Sequence, residues 1–354
     1  MKGIRKGFVK VGFFALGLVL GISLLAGCAA PAETTAPEPP SETSSPVVMP
    51  PVTPPPASPA PETPTAAAPS PVAPSPAATF PIDIKDDLGR VVTIKKVPQR
   101  IISIAPSNTE ILYALGLGDK VVGVDQYSDY PAEAKAKASL GGYSTPSIEK
   151  IVSLNPDLIL ATSIHQPKVI PVLESMNYTV VALDPKTVDE VLGSIALVGK
   201  ITGKPAEATE VVAGLSNRIK AVTDKTTALP ATKKPRVFYV VWYDPLMSSG
   251  NGTFQADLIE KAGGANVAQS LSGWATISLE TVITANPELM IAGDMSAGGA
   301  NFQFVNTEPR LKDTSARKNS QIFTVNSDIS SRPGPRLVDA LEQFAKLIHP
   351  ELFK

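Results

Sequence analysis

The residues best suited to chemistry in this chain are aromatic: Tyr127 and Tyr130 in "QYSDYP", Tyr143 in "GGYS", Trp242 and Tyr243 in "VVWYDP", and Trp274 in "SGWA". Only 6% of the chain is aromatic, yet these rings are read in loops or at strand ends, whereas core packing would set them mid-element. Rings so placed suit a large flat or partly apolar ligand, held by stacking while a few polar groups fix its edge. For Tyr130 and Tyr243 the competing reading, a ring that plugs its loop onto the protein body, stays equally open. Asp328 and Arg332, in "NSDISSRPGPRLVDAL", form a polar pair fit for such an edge. Arg336, inside the start of the last helix, reads as structural.

Covalent and acid–base chemistry finds little to use. The sequence has no H-E-x-x-H, no G-x-S-x-G and no paired cysteines. Gly193 to Lys200 has one residue too many between its glycines for a phosphate loop and sits within a helix. His165 and His349 are the available imidazoles. His349, in a terminal "HPE" after an amphipathic helix, reads as a solvent residue. His165 follows a strand at the carboxyl end, where open α/β sheets bind ligands, so it is either an ordinary loop residue or a cleft contact and weak candidate for an axial metal ligand. The chain therefore reads as a binding protein with no catalytic residues and no cofactor. Its net charge of −1, with charges interspersed, lacks the electrostatic footprint of a nucleic-acid binder.

The elements that must position these residues announce themselves by repetition. "SIEKIVSLNPDLIL" at 147–160 returns as "SLETVITANPELMI" at 278–291. In each copy a serine, Ser147 or Ser278, can cap a helix, and a glutamate, Glu149 or Glu280, falls in the first turn at the positive end of the helix dipole. Pro156 and Pro287 forbid continuation, and Leu158–Leu160 and Leu289–Ile291 follow as strands buried on both faces. A second echo pairs "QRIISIAPSNTEILYALGLG" at 99–118 with "PRVFYVVWYDPLMSSGNGTFQADLIEKAGG" at 235–264, each running from a basic residue through a strand and a polar loop to a helix ending in Gly. The fold class is thus α/β: two similar Rossmann-like lobes with mainly parallel sheets and right-handed crossovers, and a ligand cleft between them. The first lobe spans 81–185, opening with a β-hairpin, and the second spans 229–354. Residues 186–228 connect them by helices broken at Gly203 and Pro205, the second running from near Pro205 to about Asp224 as a long interdomain helix.

Ahead of the lobes the composition changes. Lys2, Arg5, Lys6 and Lys10 precede an apolar stretch and then "LAGC", which reads as an export signal. An uncleaved membrane anchor is the alternative, since 8–30 is nearly long enough to span a bilayer. Cys28 is the sole cysteine, so no disulfide staples the fold. Residues 29–80 are almost wholly Ala, Pro, Ser, Thr and Glu and hold much of the chain's excess of proline, 35 residues in all. Such a segment cannot bury enough apolar surface to fold and reads as a disordered tether. Its reach lies between roughly 40 Å as a coil and roughly 150 Å when extended.

"SNTEILYALGLGDKVVGVDQYSDYP", the two Ser-x-Glu helices, "GGANV" and "RPGPRLVDALEQFAKLIHPE" together resemble the periplasmic substrate-binding proteins of ABC importers for vitamin B12, ferric siderophores and haem, over essentially all of 81–354. The resemblance is strongest to vitamin B12-binding members. The leader, by its own resemblance to a bacterial lipoprotein signal, implies that Cys28, directly after Leu25-Ala26-Gly27, is lipidated and becomes the mature N-terminus, and the family resemblance implies an extracytoplasmic protein. The family resemblance also implies partners in an ABC permease and its ATPase subunits, and a cobalamin or other corrinoid as transported ligand. A ferric siderophore or haem is the alternative. It places Tyr127, Tyr130, Tyr143, Trp242, Met247, Trp274, Asp328 and Arg332 at the ligand, Tyr143 standing where the family carries Trp. Thr162 and Met247 stand where the family has aromatics, so the cage is altered in part. Glu149 and Glu280 become the pair that docks into permease arginines. The protein is expected to act as a monomer.

Overall fold

The computed structural model describes residues 79–294 and 298–354; the export signal, Cys28 and the tether to residue 78 lie outside them. Alternation of apolar and polar residues folds the start into the hairpin β1 (Ile82–Lys85) and β2 (Val91–Ile94). There follow β3 (Ile101–Ser103), α1 (Pro106–Ala114), β4 (Val121–Val124), β5 (Ala138–Ser139), α2 (Ile148–Ser153), β6 (Leu158–Ala161), α3 (Val169–Ser175) and β7 (Val180–Ala182). Their strands form one parallel sheet in the order β5-β4-β3-β6-β7. Two helices lead onward, α4 (Val188–Thr202) and the 22-residue α5 (Pro205–Thr226).

The second lobe starts with β8 (Arg236–Val240), β9 (Trp242–Tyr243), β10 (Leu246–Ser249), α6 (Phe254–Lys261), β11 (Ala265–Asn266), β12 (Trp274–Thr276), α7 (Leu279–Ala285) and β13 (Leu289–Asp294). It closes with α8 (Ala300–Thr307), α9 (Ser315–Lys318), β14 (Ile322–Asn326), α10 (Ser327–Ser330) and α11 (Leu337–Ile348). Its parallel sheet runs β11-β8-β13-β14. The "polar loop" expected after β8 is a sheet instead, because β9 and β12 both pair antiparallel with β10. Trp242, Tyr243 and Trp274 therefore stand at the ends of short strands, as one of the two expected placements has it, and Met247 lies within β10.

The segment repeated at 147–160 and 278–291 is a repeated structure. Ser147 Oγ accepts from the Lys150 N–H at 3.2 Å, and Ser278 Oγ from the Thr281 N–H at 3.1 Å. Asn155 and Asn286 then adopt left-handed φ values of 45° and 44°, which asparagine tolerates, and the following proline ends each helix. The acid after each proline anchors the neighbouring strand: Asp157 accepts from the Arg100 N–H at 2.9 Å, and Glu288 from the Arg236 N–H at 3.0 Å. Each of those arginines donates its Nε–H back to the helix end, Arg100 to the Leu154 and Asn155 carbonyls and Arg236 to those of Ala285 and Asn286.

Strand periodicity distributes the core. Ile101, Leu158, Leu160, Val237, Tyr239, Leu289 and Ile291 point into one cluster shared by both lobes and filled from α1, α4, α5, α6 and α11. The intervening residues serve separate cores, Ile102 and Ile159 in the first lobe and Phe238 and Met290 in the second. The two lobes are therefore welded by apolar packing and not only joined by chain. Gly199 lets α4 and α5 pack closely, since a Cβ there would lie 2.3 Å from that of Ala208 across the α4–α5 turn. Arg218 of α5 ties to α11 through Asp339 at 2.5 Å and Glu342 at 2.8 Å.

His349 corrects the expectation of a solvent residue. It is 3% exposed, and its Nε2–H donates to the Gly263 carbonyl at 3.1 Å, tying the chain end to the turn after α6.

Candidate functional site

The carboxyl ends of both parallel sheets border one cleft, in two adjoining hollows of about 540 and 360 Å³ that share Ser107, Tyr143, Ser331 and Pro333. Each lies within the range of roughly 300–1,000 Å³ usual for small-molecule sites. Tyr127, Tyr143, Asp328 and Arg332 line the first; Tyr143 and Trp274 line the second. These are the expected ligand residues that the fold brings together.

The loop after β4 is rigidly built. Asp125, 1% exposed, accepts from the Tyr127 N–H at 2.9 Å and from the Ser128 hydroxyl, and Ser128 Oγ lies 2.8 Å from the Thr109 hydroxyl of α1. Burial pushes the Asp125 carboxyl up, against the pull of those hydrogen bonds. The loop so held presents a Tyr127 that is 53% exposed. Across the cleft Trp274 donates its indole N–H to the buried Gln255 Oε1 at 3.0 Å, meets the Phe254 ring edge-on at 5.5 Å, and stays 40% exposed. Tyr143 lies between the hollows, its hydroxyl 3.2 Å from that of Thr162; burial raises its pKa and keeps it a neutral hydrogen-bonding group.

Arg332 is the polar centre. Its guanidinium donates to Asp129 at 2.6 Å and pairs with Asp328 at 2.5 Å. Asp129 belongs to the first lobe and Arg332 to the second, so the pair spans the cleft. Asp129 stands between the two tyrosines of "YSDYP" and carries no sequence signal of this role. Arg336 grips Glu110 of α1 with two hydrogen bonds, at 3.1 and 2.6 Å, joining the lobes beneath the cleft; burial pushes the Glu110 carboxyl up and Arg336 pulls it back.

Other expected ligand residues lie elsewhere. Tyr130 is turned from the cleft: its ring covers the Arg336 guanidinium at 3.8 Å and borders a separate hollow with Leu215 and Pro335. Trp242 donates its indole N–H to the Asp244 carbonyl at 2.7 Å and packs on Tyr243, and Met247 pairs in register with it; neither Trp242 nor Met247 lines either hollow. The reading of His165 as a cleft contact or metal ligand is also corrected. It is fully buried, Nδ1 accepts from the Thr162 N–H at 3.0 Å, and Nε2–H donates to the Tyr143 carbonyl at 2.7 Å. Both nitrogens are thereby spent, Nδ1 on closing the local turn at Thr162 and Nε2 on holding the Tyr143 backbone.

Burial depresses the His165 pKa below its ordinary 6.5. A depressed folded pKa means that the unfolded chain binds the extra proton first, so stability is lost as pH falls from 6.5 toward the folded value. Thermal melts should show a smaller drop between pH 7 and pH 5 for His165→Gln than for wild type. Equal drops would contradict the assignment.

Glu149 and Glu280 stand exposed in the first turns of α2 and α7, one in each lobe, and neither makes an ion pair among the described residues.

Comparison with known proteins agrees with this architecture. Residues 101–329 match the periplasmic binding protein family. The chain is 33% identical over 283 residues to the uncharacterized ABC transporter substrate-binding lipoprotein YvrC of Bacillus subtilis, covering 78% of this chain and 88% of that one. It is 32% identical over 248 residues to the vitamin B12-binding protein of Vibrio cholerae, covering 69% and 87%. The crystal structure of the periplasmic vitamin B12 binding protein BtuF of Vibrio cholerae is similar at a TM-score of 0.63 and 28% identity, covering 73% of this chain and 99% of that one.

Proposed function

The chain belongs to the periplasmic binding protein family, as a substrate-binding component of an ABC importer, and from that premise we propose that its ligand is cobalamin or a related corrinoid. The observation that carries this reading is the cleft itself. Tyr127 and Tyr143 on one side and Trp274 on the other offer aromatic surface to a broad flat ligand, and Arg332 with its two aspartates offers a polar edge. Stacking supplies affinity without fixing orientation, and the polar edge fixes orientation. The vitamin B12-binding relatives support the choice of ligand.

Handing over the ligand is a separate task, assigned here to Glu149 and Glu280. Each exposed ion pair with a permease arginine is worth about 0–1 kcal/mol, but two at a fixed spacing set orientation. The lipidated Cys28 would hold the monomeric protein at the outer face of the cell membrane, and the permease with its ATPase subunits would be the partner.

Titrating the intrinsic tryptophan fluorescence with cyanocobalamin and with cobinamide tests the ligand assignment. Saturable quenching at one ligand per protein is expected, because Trp274 borders the cleft. A protein that neither corrinoid quenches, while a ferric siderophore or haem does so at one equivalent, would overturn it.

A further inference from the structure

We propose that the cleft discriminates by charge, accepting ligands whose rim is amide or otherwise neutral and rejecting those whose rim carries carboxylates, and that Asp129 is the residue that sets this preference. The inference deepens the reading of the cleft as a site for a large ring ligand and rests on it.

A site for a polyanionic ligand holds cations with unspent donors. Arg332 is the cation lining this cleft, and it is engaged on two sides, by Asp129 at 2.6 Å and Asp328 at 2.5 Å. Glu110 lies 3.9 Å away as a third carboxylate, itself held by Arg336 at 2.6 Å. The other nearby cation, Lys186, sits 5.4 Å from the Trp274 ring centroid and is paired with Asp184 at 2.7 Å. Among the described residues, the charged groups lining the two hollows are thus three carboxylates, Asp129, Asp328 and Asp184, against one cation, Arg332, while Lys186 reaches the rim only through its pair with Asp184. Burial works against ionisation of Asp129, but the hydrogen bond and charge of Arg332 outweigh it and hold the carboxyl below its ordinary range, so it is an anion at neutral pH.

A propionate entering beside Arg332 would meet a guanidinium whose charge is already balanced by two aspartates, and would add a further like charge beside them in a partly desolvated place. An amide in the same position does the opposite. Its N–H donates to the free lone pairs of Asp129 or Asp328, a charge-assisted hydrogen bond that leaves both ion pairs standing. Asp129 matters more than Asp328 for this choice. It is the less enclosed of the two, its side chain 38% exposed against 16%, and it comes from the opposite lobe, so it faces the ligand across the cleft mouth.

The experiment uses matched ligand pairs that differ only in rim charge. Calorimetric titration would compare cyanocobalamin with its monocarboxylic acids, in which one propionamide is hydrolysed, and haem with its dimethyl ester. In wild type the amide should bind about tenfold or more tighter than at least one acid isomer, and the ester tighter than haem. In Asp129→Asn the amide-to-acid ratio should fall to within about threefold of one, and in Asp328→Asn, an independent second variant, it should fall by less. Equal affinity for every acid and the amide in wild type, or a ratio untouched by Asp129→Asn, would overturn the proposal. If the corrinoids fail to bind while the ester still outcompetes haem, charge selection stands and the corrinoid assignment falls. Failure of both pairs to bind overturns both.

Discussion

Trp274→Ala is expected to weaken corrinoid binding by about 1–3 kcal/mol, or roughly 5- to 140-fold, with little change in melting temperature. The size follows from how the ring is held. Its N–H is anchored on Gln255 and its flank on Phe254, and the ring remains 40% exposed toward the cleft. A ring oriented before the ligand arrives gives up little conformational freedom on binding, so most of its stacking energy appears as affinity. Tyr127→Ala should act in the same direction, because the turn built on Asp125 fixes the backbone beneath an exposed ring. Gln255→Leu keeps the indole but removes its anchor, and should give a partial loss. Unchanged affinity with a lowered melting temperature would return Trp274 to the role of a packing residue.

Reversing both duplicated carboxylates, Glu149→Arg with Glu280→Arg, should abolish delivery to a reconstituted importer while leaving ligand capture in solution intact. The two stand at the heads of α2 and α7, capped in the same way by Ser147 and Ser278. The core shared by α4, α5 and α11 limits relative motion of the lobes, so the spacing of the pair is a fixed property of the protein. Matching two receptor sites requires such a spacing. Charge reversal replaces attraction by repulsion at both and so exceeds the effect of neutralisation. Each single variant should fall between wild type and the double variant. Normal uptake by the double variant would leave both glutamates as helix-dipole carboxylates.

What was legible in the sequence is what local rules decide. The serine cap, the asparagine in left-handed conformation and the proline stop are each settled within a few residues, so the helices at 148 and 279 and their buried strands could be read directly. The break between α4 and α5 was legible for the same reason, Gly203 taking φ of 72° with Pro205 beginning the next helix. What escaped depends on partners distant in the chain. β12 pairs with β10 only through the intervening α6, and that pairing turned an expected loop into a sheet. Tyr130 lies three residues from Tyr127, yet its ring finds Arg336 while Tyr127 faces the cleft. No spacing rule distinguishes the two. His349 closes on Gly263 across 86 residues and Asp129 on Arg332 across 203. The Arg100–Asp157 and Arg236–Glu288 locks did leave a signal, since both members recur in both copies of the repeat.

Whether the cleft holds a corrinoid is tested by the visible absorption spectrum of the protein after gel filtration from an equimolar mixture of cyanocobalamin, haem and a ferric siderophore. The expected spectrum is that of the corrin, retained at one equivalent in wild type and reduced in Trp274→Ala. A haem Soret band, or the charge-transfer band of the siderophore, in place of the corrin bands would contradict the corrinoid assignment.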